Sequence, residues 1–378
     1  MSWQGCKNIL CIRPDNMGDL IMTGPAIRAL KESFNAKITV LTSSMAAGVI
    51  KHMPEIDEAI IFDLPWVKTA EQPDVSVFNQ VVRQLKDRNF DAAVVFTVYS
   101  QNPLPTAMLA YLAGIPRILA YCRENPYQLI TDWVPDKEPY EFIKHQVRRD
   151  LDLVATVGAT TLNEDLHLTL NEELWTSVND QLSAQGLDTN KRWIILHAGV
   201  SEKKREYPTE CWIAAAKRLI AEYGLQILLT GSASEQQLTQ ALQAQIGQGS
   251  FSAGGMFKLD EFICLVKHTS LLLSVNTGTI HIAAAAGTPT VVLYAQTNPQ
   301  HTPWKVPHTV LEFPVPEDMR SKNEVIAHVN QTIYRQPATM PNAAEVVNAV
   351  TDLLKHFSPE DQPFVHTPAQ NQGFPASL

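Results

Sequence analysis

Asp19 stands directly behind Gly18 in the run RPDNMGDLIMTGP (13–25), just after a strand-like segment that stops at Pro14. A carboxylate at such a turn has two uses. It caps a helix by accepting backbone N–H bonds, a role for which Asp is strongly preferred, or it takes a proton from a bound hydroxyl as a general base. Pro25 leaves the local geometry open. If Pro25 is the first helical residue, Asp19 lies in the preceding loop; if the helix begins at Asp19, Pro25 kinks it. Asn16, Met17 and Gly18 complete the turn on the same side.

A second chemical cluster lies in SVNTGTIHIAAAAGTPTVVLY (274–294). A buried strand ends at Val275, Asn276 and Thr277 can cap, and Gly278 lets a ligand approach the backbone. The small-residue helix that follows has free N–H groups and a partial positive charge at its start, which suit phosphate oxygens at Thr277, Gly278 and Thr279. A capped helix resting on a sheet accounts for the same residues. HAGVSEKKREYPTECW (197–212) adds cationic donors for a diphosphate, an Arg fork among them, or else a solvated charge run. His197 and His281 read as core, capping or site histidines. HTPW (301–304) lines a sugar pocket or anchors a proline-stiffened loop. Neither the five scattered cysteines nor the remaining histidines have metal-ligand spacing, and no compact carboxylate cluster exists for a metal.

The elements that must hold these groups alternate between strand and helix patterns. Apolar runs at 8–13, 37–42, 58–64 and 91–97 predict buried strands, with helical patterns at 26–34 and 78–89 between them. An irregular Pro- and Asp-rich middle follows from about 121 to 190. A second series begins with strands at 192–199, 225–231, 270–278 and 290–297 and helices at 210–224, 260–268 and 343–357. The pattern predicts two consecutive α/β domains with parallel sheets, over 1–180 and 181–357, and a disordered tail over 358–378. The chemical residues fall at the carboxyl ends of strands, where open α/β sheets bind ligands. Five such turns in two domains predict a cleft between them.

The chain has 378 residues, 45% of them apolar and 18% charged, with a net charge of −9. That balance predicts a packed globular protein and argues against a nucleic-acid surface, which needs a basic face. No apolar stretch approaches the roughly 20 residues of a membrane span, and the first residues lack a secretory signal. A soluble cytoplasmic protein is expected, resting at most peripherally on the inner face of a membrane. Arg117 and Arg123 are either acceptor-side phosphate contacts or ordinary helix-end charges.

RPDNMGDLIMTGPAIRAL, HAG…KKREYPTECW and VNTGTIHIAAAAGTPTVVLYAQTNP, in that order, resemble glycosyltransferase family 9, the heptosyltransferases of lipopolysaccharide core synthesis. The resemblance spans about 8–355. It implies the GT-B fold, two Rossmann-like domains facing across a cleft, and inverting, metal-independent transfer from a nucleotide sugar, ADP-heptose, to a hydroxyl of a saccharide or lipid-linked saccharide acceptor. By position it assigns the base to Asp19. It assigns donor binding to Arg205, with Lys204 beside it, and to Asn276, Thr277, Gly278, Thr279 and His281. Glu235 is implied at the ribose and Phe257 near the nucleotide base, while Asn16, Met17 and Gly18 fall on the acceptor side. Two positions depart from the family pattern: Arg205 replaces a Lys, and Asn276 replaces an Asp and so lacks its negative charge.

Inversion needs Asp19 on one lobe to face the phosphate-gripping helix end and Arg205 on the other across a sugar-sized gap. The sequence also admits two other readings. One is a nucleotide-sugar epimerase or hydrolase on the same fold, which would consume donor without acceptor. The other is a disabled nucleotide-sugar-binding protein, which would bind without turnover. A dinucleotide dehydrogenase is disfavoured because the first turn lacks G-x-G-x-x-G.

Overall fold

The computed structural model describes residues 3–67, 74–334 and 338–357. β1 (Asn8–Arg13) leads into α1 (Met17–Phe34), followed by β2 (Lys37–Thr42), β3 (Glu58–Ile61), α2 (Val75–Asp87) and β4 (Ala92–Val95). Then come α3 (Leu104–Leu112), β5 (Ile118–Cys122), β6 (Asp132–Pro135), α4 (Gln146–Ala155) and α5 (Leu174–Ala184). The chain continues through β7 (Trp193–His197), α6 (Thr209–Tyr223), β8 (Gln226–Gly231), α7 (Gln236–Ile246), β9 (Ser250–Gly254) and α8 (Leu259–His268). It closes with β10 (Leu272–Val275), α9 (Gly278–Ala286), β11 (Thr290–Ala295), β12 (His308–Phe313), α10 (Glu324–Thr332) and α11 (Ala343–His356).

Two six-stranded sheets result, ordered β3-β2-β1-β4-β5-β6 and β12-β11-β10-β7-β8-β9. Every neighbouring pair is parallel, for instance Cys11 opposite Val40 and Leu273 opposite Val291. The second sheet repeats the order of the first, so each has a reversal beside its first strand, between β1 and β4 and between β7 and β10. A crevice opens beyond the strand ends at such a reversal. α1 begins at the first reversal and α9 at the second, so both chemical clusters sit where the topology leaves room.

The central strands are apolar because helices cover both of their faces. Ile9, Leu10, Cys11 and Ile12 in β1 and all four residues of β4 are buried. The expected strands are present but mostly shorter at their ends. β5, β6, β9 and β12 were not expected. β6 reads DWVP and β12 HTVLEF, edge strands with partly exposed patterns that lack a continuous apolar run. The middle segment is therefore less irregular than its composition implies.

α1 starts nine residues before the expected Ala26, with Pro25 inside it. Pro25 supplies no N–H to the helix, yet both sides of it are buried against the sheet. Tertiary packing outweighs the local proline cost here.

Two segments from the second half cross onto the first. Val325 and Val329 of α10 pack with Tyr334 against Tyr99 and Ile143. The loop after β11 also crosses. Gln146 N–H donates to the Gln300 carbonyl at 3.0 Å, and Trp304 Nε1 donates to the Glu164 carbonyl at 2.8 Å. Trp304 also lies 4.6 Å from the His145 ring. The loop-anchor reading of HTPW therefore holds for Trp304. Arg149 of α4 is buried against Asp136 and Glu138 at 2.9 and 2.7 Å. Arg123 is likewise spent within the fold, donating to the Tyr99 and Glu138 carbonyls. Among the described residues no helix is long and apolar enough to cross a membrane.

Candidate active site

β1 ends on Arg13, a guanidinium with no exposed surface. A charge buried this deeply needs partners. Its Nε lies 3.0 Å from Asp15 Oδ2, and its Nη2 donates to Asp19 Oδ1 at 3.0 Å. Asp19 is the third residue of α1. The N-cap position is Asn16, whose side chain makes no cap bond to the backbone. Instead, Asn16 Nδ2 reaches Asp19 Oδ2 at 3.4 Å. The alternatives left open for this turn are thereby resolved: Asp19 neither caps nor lies in a loop before Pro25. It projects from the first helical turn into a charged cluster.

A second layer holds that cluster in place. Gln101 Nε2 donates to Asp15, and Asp150 accepts from Thr23 Oγ1 at 2.8 Å and Gln146 Nε2 at 2.7 Å. Burial pushes Asp15 and Asp150 up to about 6, with Arg13 pulling the other way. Burial would raise Asp19 too, but the Arg13 guanidinium, helped by His301 and His281, holds it down to about 2. Asp19 is thus a carboxylate at any neutral pH.

The opposite wall comes from the second half. A Cβ added to Gly18 would lie 2.8 Å from His281 Cδ2 and 3.2 Å from Gly278 Cα, so two helix N-termini meet glycine to glycine. The loop after β11 brings His301 Nε2 to 3.7 Å from Asp19 Oδ1. Burial pushes His281 down to about 3 and His301 to about 4, the latter against the pull of Asp19. Both are neutral imidazoles at pH 7.

Around the start of α9 several polar groups lack partners. Thr277 precedes the helix, and its buried hydroxyl makes no hydrogen bond; His281 Nδ1 and Arg205 Nε are in the same position. Arg205 Nη1 donates to the Asn276 carbonyl at 3.1 Å, and Nη2 lies 3.4 Å from Glu202. Buried donors without partners are costly, and these converge on one helix end with free N–H groups. Such a site takes an anion with several oxygens.

The predicted residues thus divide. Asn16, Met17, Gly18 and Asp19 meet Gly278 and His281 in one place, with Thr277, Thr279 and Arg205 around them. Asn276 is turned into the fold: its Oδ1 accepts from Ala295 N–H and its Nδ2 donates to Thr297, both at 3.2 Å. Lys204 pairs with Glu202 at 3.1 Å. Glu235 closes a capping box with Ser232 beyond β8, and its carboxylate fills the space where a Gly199 side chain would stand. Phe257 packs on the core after β9. Among the described residues, Lys204, Glu235 and Phe257 share no hydrogen bond or ion pair with the Asp19 cluster.

Arg13 was missed as a site residue, and His301 was singled out only as part of HTPW, without its place beside Asp19. A lone Arg closing an apolar strand was the available signal for the first. The expected sugar-sized gap is also absent, because Gly18 and Gly278 bring the lobes into contact and leave Asp19 only 9% exposed. Glu172, Cys264 and His268 come together away from this site.

The family model for glycosyltransferase family 9 (heptosyltransferase) matches residues 78–325. The chain is 26% identical over 306 residues to lipopolysaccharide heptosyltransferase 2 of Escherichia coli K12, covering 78% of this chain and 84% of that one. It is 25% identical over 308 residues to lipooligosaccharide heptosyltransferase 2 of Haemophilus influenzae, with coverages of 78% and 85%. Among solved structures, a family 9 glycosyl transferase from Veillonella parvula superposes with a TM-score of 0.75 at 21% identity, over 94% of this chain and 99% of that one. The E. coli ADP-heptose heptosyltransferase II does so with a TM-score of 0.67 at 22% identity, over 92% and 99%. The two-sheet architecture is the GT-B fold of these enzymes.

Proposed function

The chain belongs to glycosyltransferase family 9, and from that premise we propose that it transfers a heptose from ADP-heptose, with inversion and without a metal, to a hydroxyl of a lipopolysaccharide-core acceptor. One observation carries the reading. A carboxylate from the first lobe, kept ionised at neutral pH by the Arg13 guanidinium, stands against a helix N-terminus of the second, where the Thr277 hydroxyl and Arg205 Nε are buried without partners.

Transfer with inversion is one displacement. The acceptor oxygen forms a bond to the anomeric carbon as the bond from that carbon to the diphosphate oxygen breaks. Asp19 Oδ2, whose hydrogen bond among the described residues is the long one from Asn16, takes the acceptor proton. A positioned base is worth about 10²- to 10⁴-fold. The electron pair leaves on the nucleoside diphosphate, whose growing charge is met by the N–H groups at the start of α9, the Thr277 hydroxyl and the Arg205 guanidinium. Preorganised donors of this kind are usually the larger contribution. They also supply the neutralisation that a metal would otherwise bring. Closure of the lobes over the bound substrates excludes water, so donor is spared hydrolysis. Entry of both substrates requires the lobes to part and close again. A lipid-linked acceptor would place the enzyme on the inner face of the cytoplasmic membrane, as a peripheral protein. The names of its relatives, lipopolysaccharide and lipooligosaccharide heptosyltransferases, support heptose as the sugar and a lipopolysaccharide-type acceptor.

Asp19→Asn tests the assignment. The variant should fold, bind ADP with unchanged affinity in calorimetry, and lose transfer by at least about 100-fold. Transfer within threefold of the parent would remove Asp19 as the base.

A further inference from the structure

Away from the transfer site, three side chains with metal-ligating atoms converge on α8. Cys264 and His268 are four residues apart and so lie on one face of that helix. Glu172, just ahead of α5, meets them, and the three ligating atoms all lie within 4.8 Å of one another. His268 Nε2 is 3.0 Å from Glu172 Oε2. The Trp175 indole, on α5, stacks on the His268 ring with centroids 3.8 Å apart and planes 7° from parallel. Cys264 is buried, His268 half-buried and Glu172 exposed.

We propose that Glu172, Cys264 and His268 form a binding site for a zinc-class divalent cation that clips the segment entering α5 onto α8. A tetrahedral ion with ordinary bond lengths needs its nitrogen and oxygen ligands about 3.4 Å apart and its sulfur and nitrogen about 3.6 Å apart. The Glu172–His268 spacing is already close to that. With the three atoms all within 4.8 Å of one another, the sulfur has at most about an ångström to travel, and the exposed Glu172 carboxylate can close the remainder from its side.

The donor set selects the ion. Thiolate with imidazole suits Zn²⁺ or Co²⁺, whereas Mg²⁺ and Ca²⁺ take oxygen ligands. Stacking on Trp175 fixes the imidazole plane, the task that outer partners perform at built metal sites. Three protein ligands leave a fourth position on the exposed Glu172 side for water. On binding, the Cys264 thiol gives its proton to solvent and the sulfur bonds the ion as thiolate. An ion pair of His268 with Glu172 over a tryptophan would need no cysteine one turn away on the same face.

Full-length reduced protein, stripped with chelator, is titrated with Co²⁺. The site predicts saturation at one equivalent, a sulfur-to-cobalt charge-transfer band in the near ultraviolet and strong tetrahedral ligand-field bands, all displaced by Zn²⁺. Cys264→Ser should abolish the charge-transfer band. His268→Gln should weaken Co²⁺ binding by more than about tenfold, the loss expected even from an outer partner. Neither residue belongs to the transfer site, so transferase activity in chelator should be unchanged in His268→Gln. A parent protein without the charge-transfer band overturns the proposal, as does an equal band in Cys264→Ser. Should Cys264→Ser fail to fold, unchanged Co²⁺ affinity in both His268→Gln and Glu172→Gln overturns it instead.

Discussion

Arg13 bridges two carboxylates that would otherwise repel each other, Asp15 through Nε and Asp19 through Nη2. The fork is what allows both contacts at once; a Lys ammonium is a point charge on a flexible stem. Arg13→Lys should therefore keep the protein folded yet leave Asp19 poorly oriented. Its kcat should fall about tenfold or more, since a small misplacement of a reacting group has that cost, while ADP affinity stays as it was. A kcat within twofold of the parent would make Arg13 a packing residue only. Arg13→Ala is a different experiment. It strands buried acids and should destabilise the fold by about 3 to 5 kcal/mol in a denaturant titration. Residue types near Asp19 were legible in the sequence, because Gly-Asp after a strand is a local pattern. Arg13 was not, since a strand-ending Arg names its partners only when α1 folds back over it. His301 was legible only within HTPW; its place beside Asp19 depends on a loop crossing between halves, which no local pattern encodes. Asn276, Glu235 and Lys204 were placed near the correct strand ends, yet local bonds engage their side chains.

At the scale of the element, the contact between α1 and α9 turns on two glycines that are not equivalent. A Cβ on Gly18 meets the His281 ring at 2.8 Å and Gly278 Cα at 3.2 Å, a rigid backbone and a packed imidazole. A Cβ on Gly278 meets the Met17 methyl at 3.3 Å, the far end of a flexible side chain. Alanine is favoured over glycine in a helix by about 1 kcal/mol, so neither change weakens its own helix. Gly18→Ala should hold the lobes apart and lower kcat/KM by tenfold or more, with a thermal midpoint within about 2 °C of the parent, less than 1 kcal/mol moves a domain of this size. Gly278→Ala should stay within about threefold in activity. Equal effects from the two would show that the close approach does not matter. The strong strands and amphipathic helices were legible because burial on one or both faces imposes a period. The start of α1 was not, because Pro25 is a breaker by local rules and is overruled by packing on both sides. Edge strands β6 and β12 escaped notice for the converse reason: one free edge relaxes the demand for apolar residues.

At the scale of the whole molecule, the lobes are joined through histidines that must stay neutral. His145, His281 and His301 are all lowered by burial, to about 3, 3 and 4 from a usual value near 6.5. A group with a depressed folded pKa stabilises fully above its unfolded value and loses that contribution as pH falls toward the folded one. Acidification from pH 7 to 4 therefore withdraws stability from the contact between lobes. Asp15 and Asp150 act in the opposite direction. Raised to about 6 from 3.8, their burial penalty is relieved over the same range. The histidines have further to travel, three against two, and they bridge the halves, whereas both aspartates lie in the first. Asp19 favours protonation of His301, though burial outweighs it, and the carboxylate is itself lost only below about pH 4, as it falls toward 2. The balance predicts parting of the lobes before either unfolds. Small-angle scattering should show the radius of gyration rising between pH 6.5 and 4.5 while far-ultraviolet circular dichroism is unchanged. Trp304 fluorescence should shift in step, since its ring rests on His145, and Trp304→Phe should remove that shift. Because substrates enter only when the lobes part, ADP should bind faster at pH 5.5 than at 7.5, and the parted form should turn over more slowly. A radius of gyration constant over that range would mean that other contacts, Trp304 to Glu164 and α10 on Tyr99 among them, hold the lobes together without the histidines.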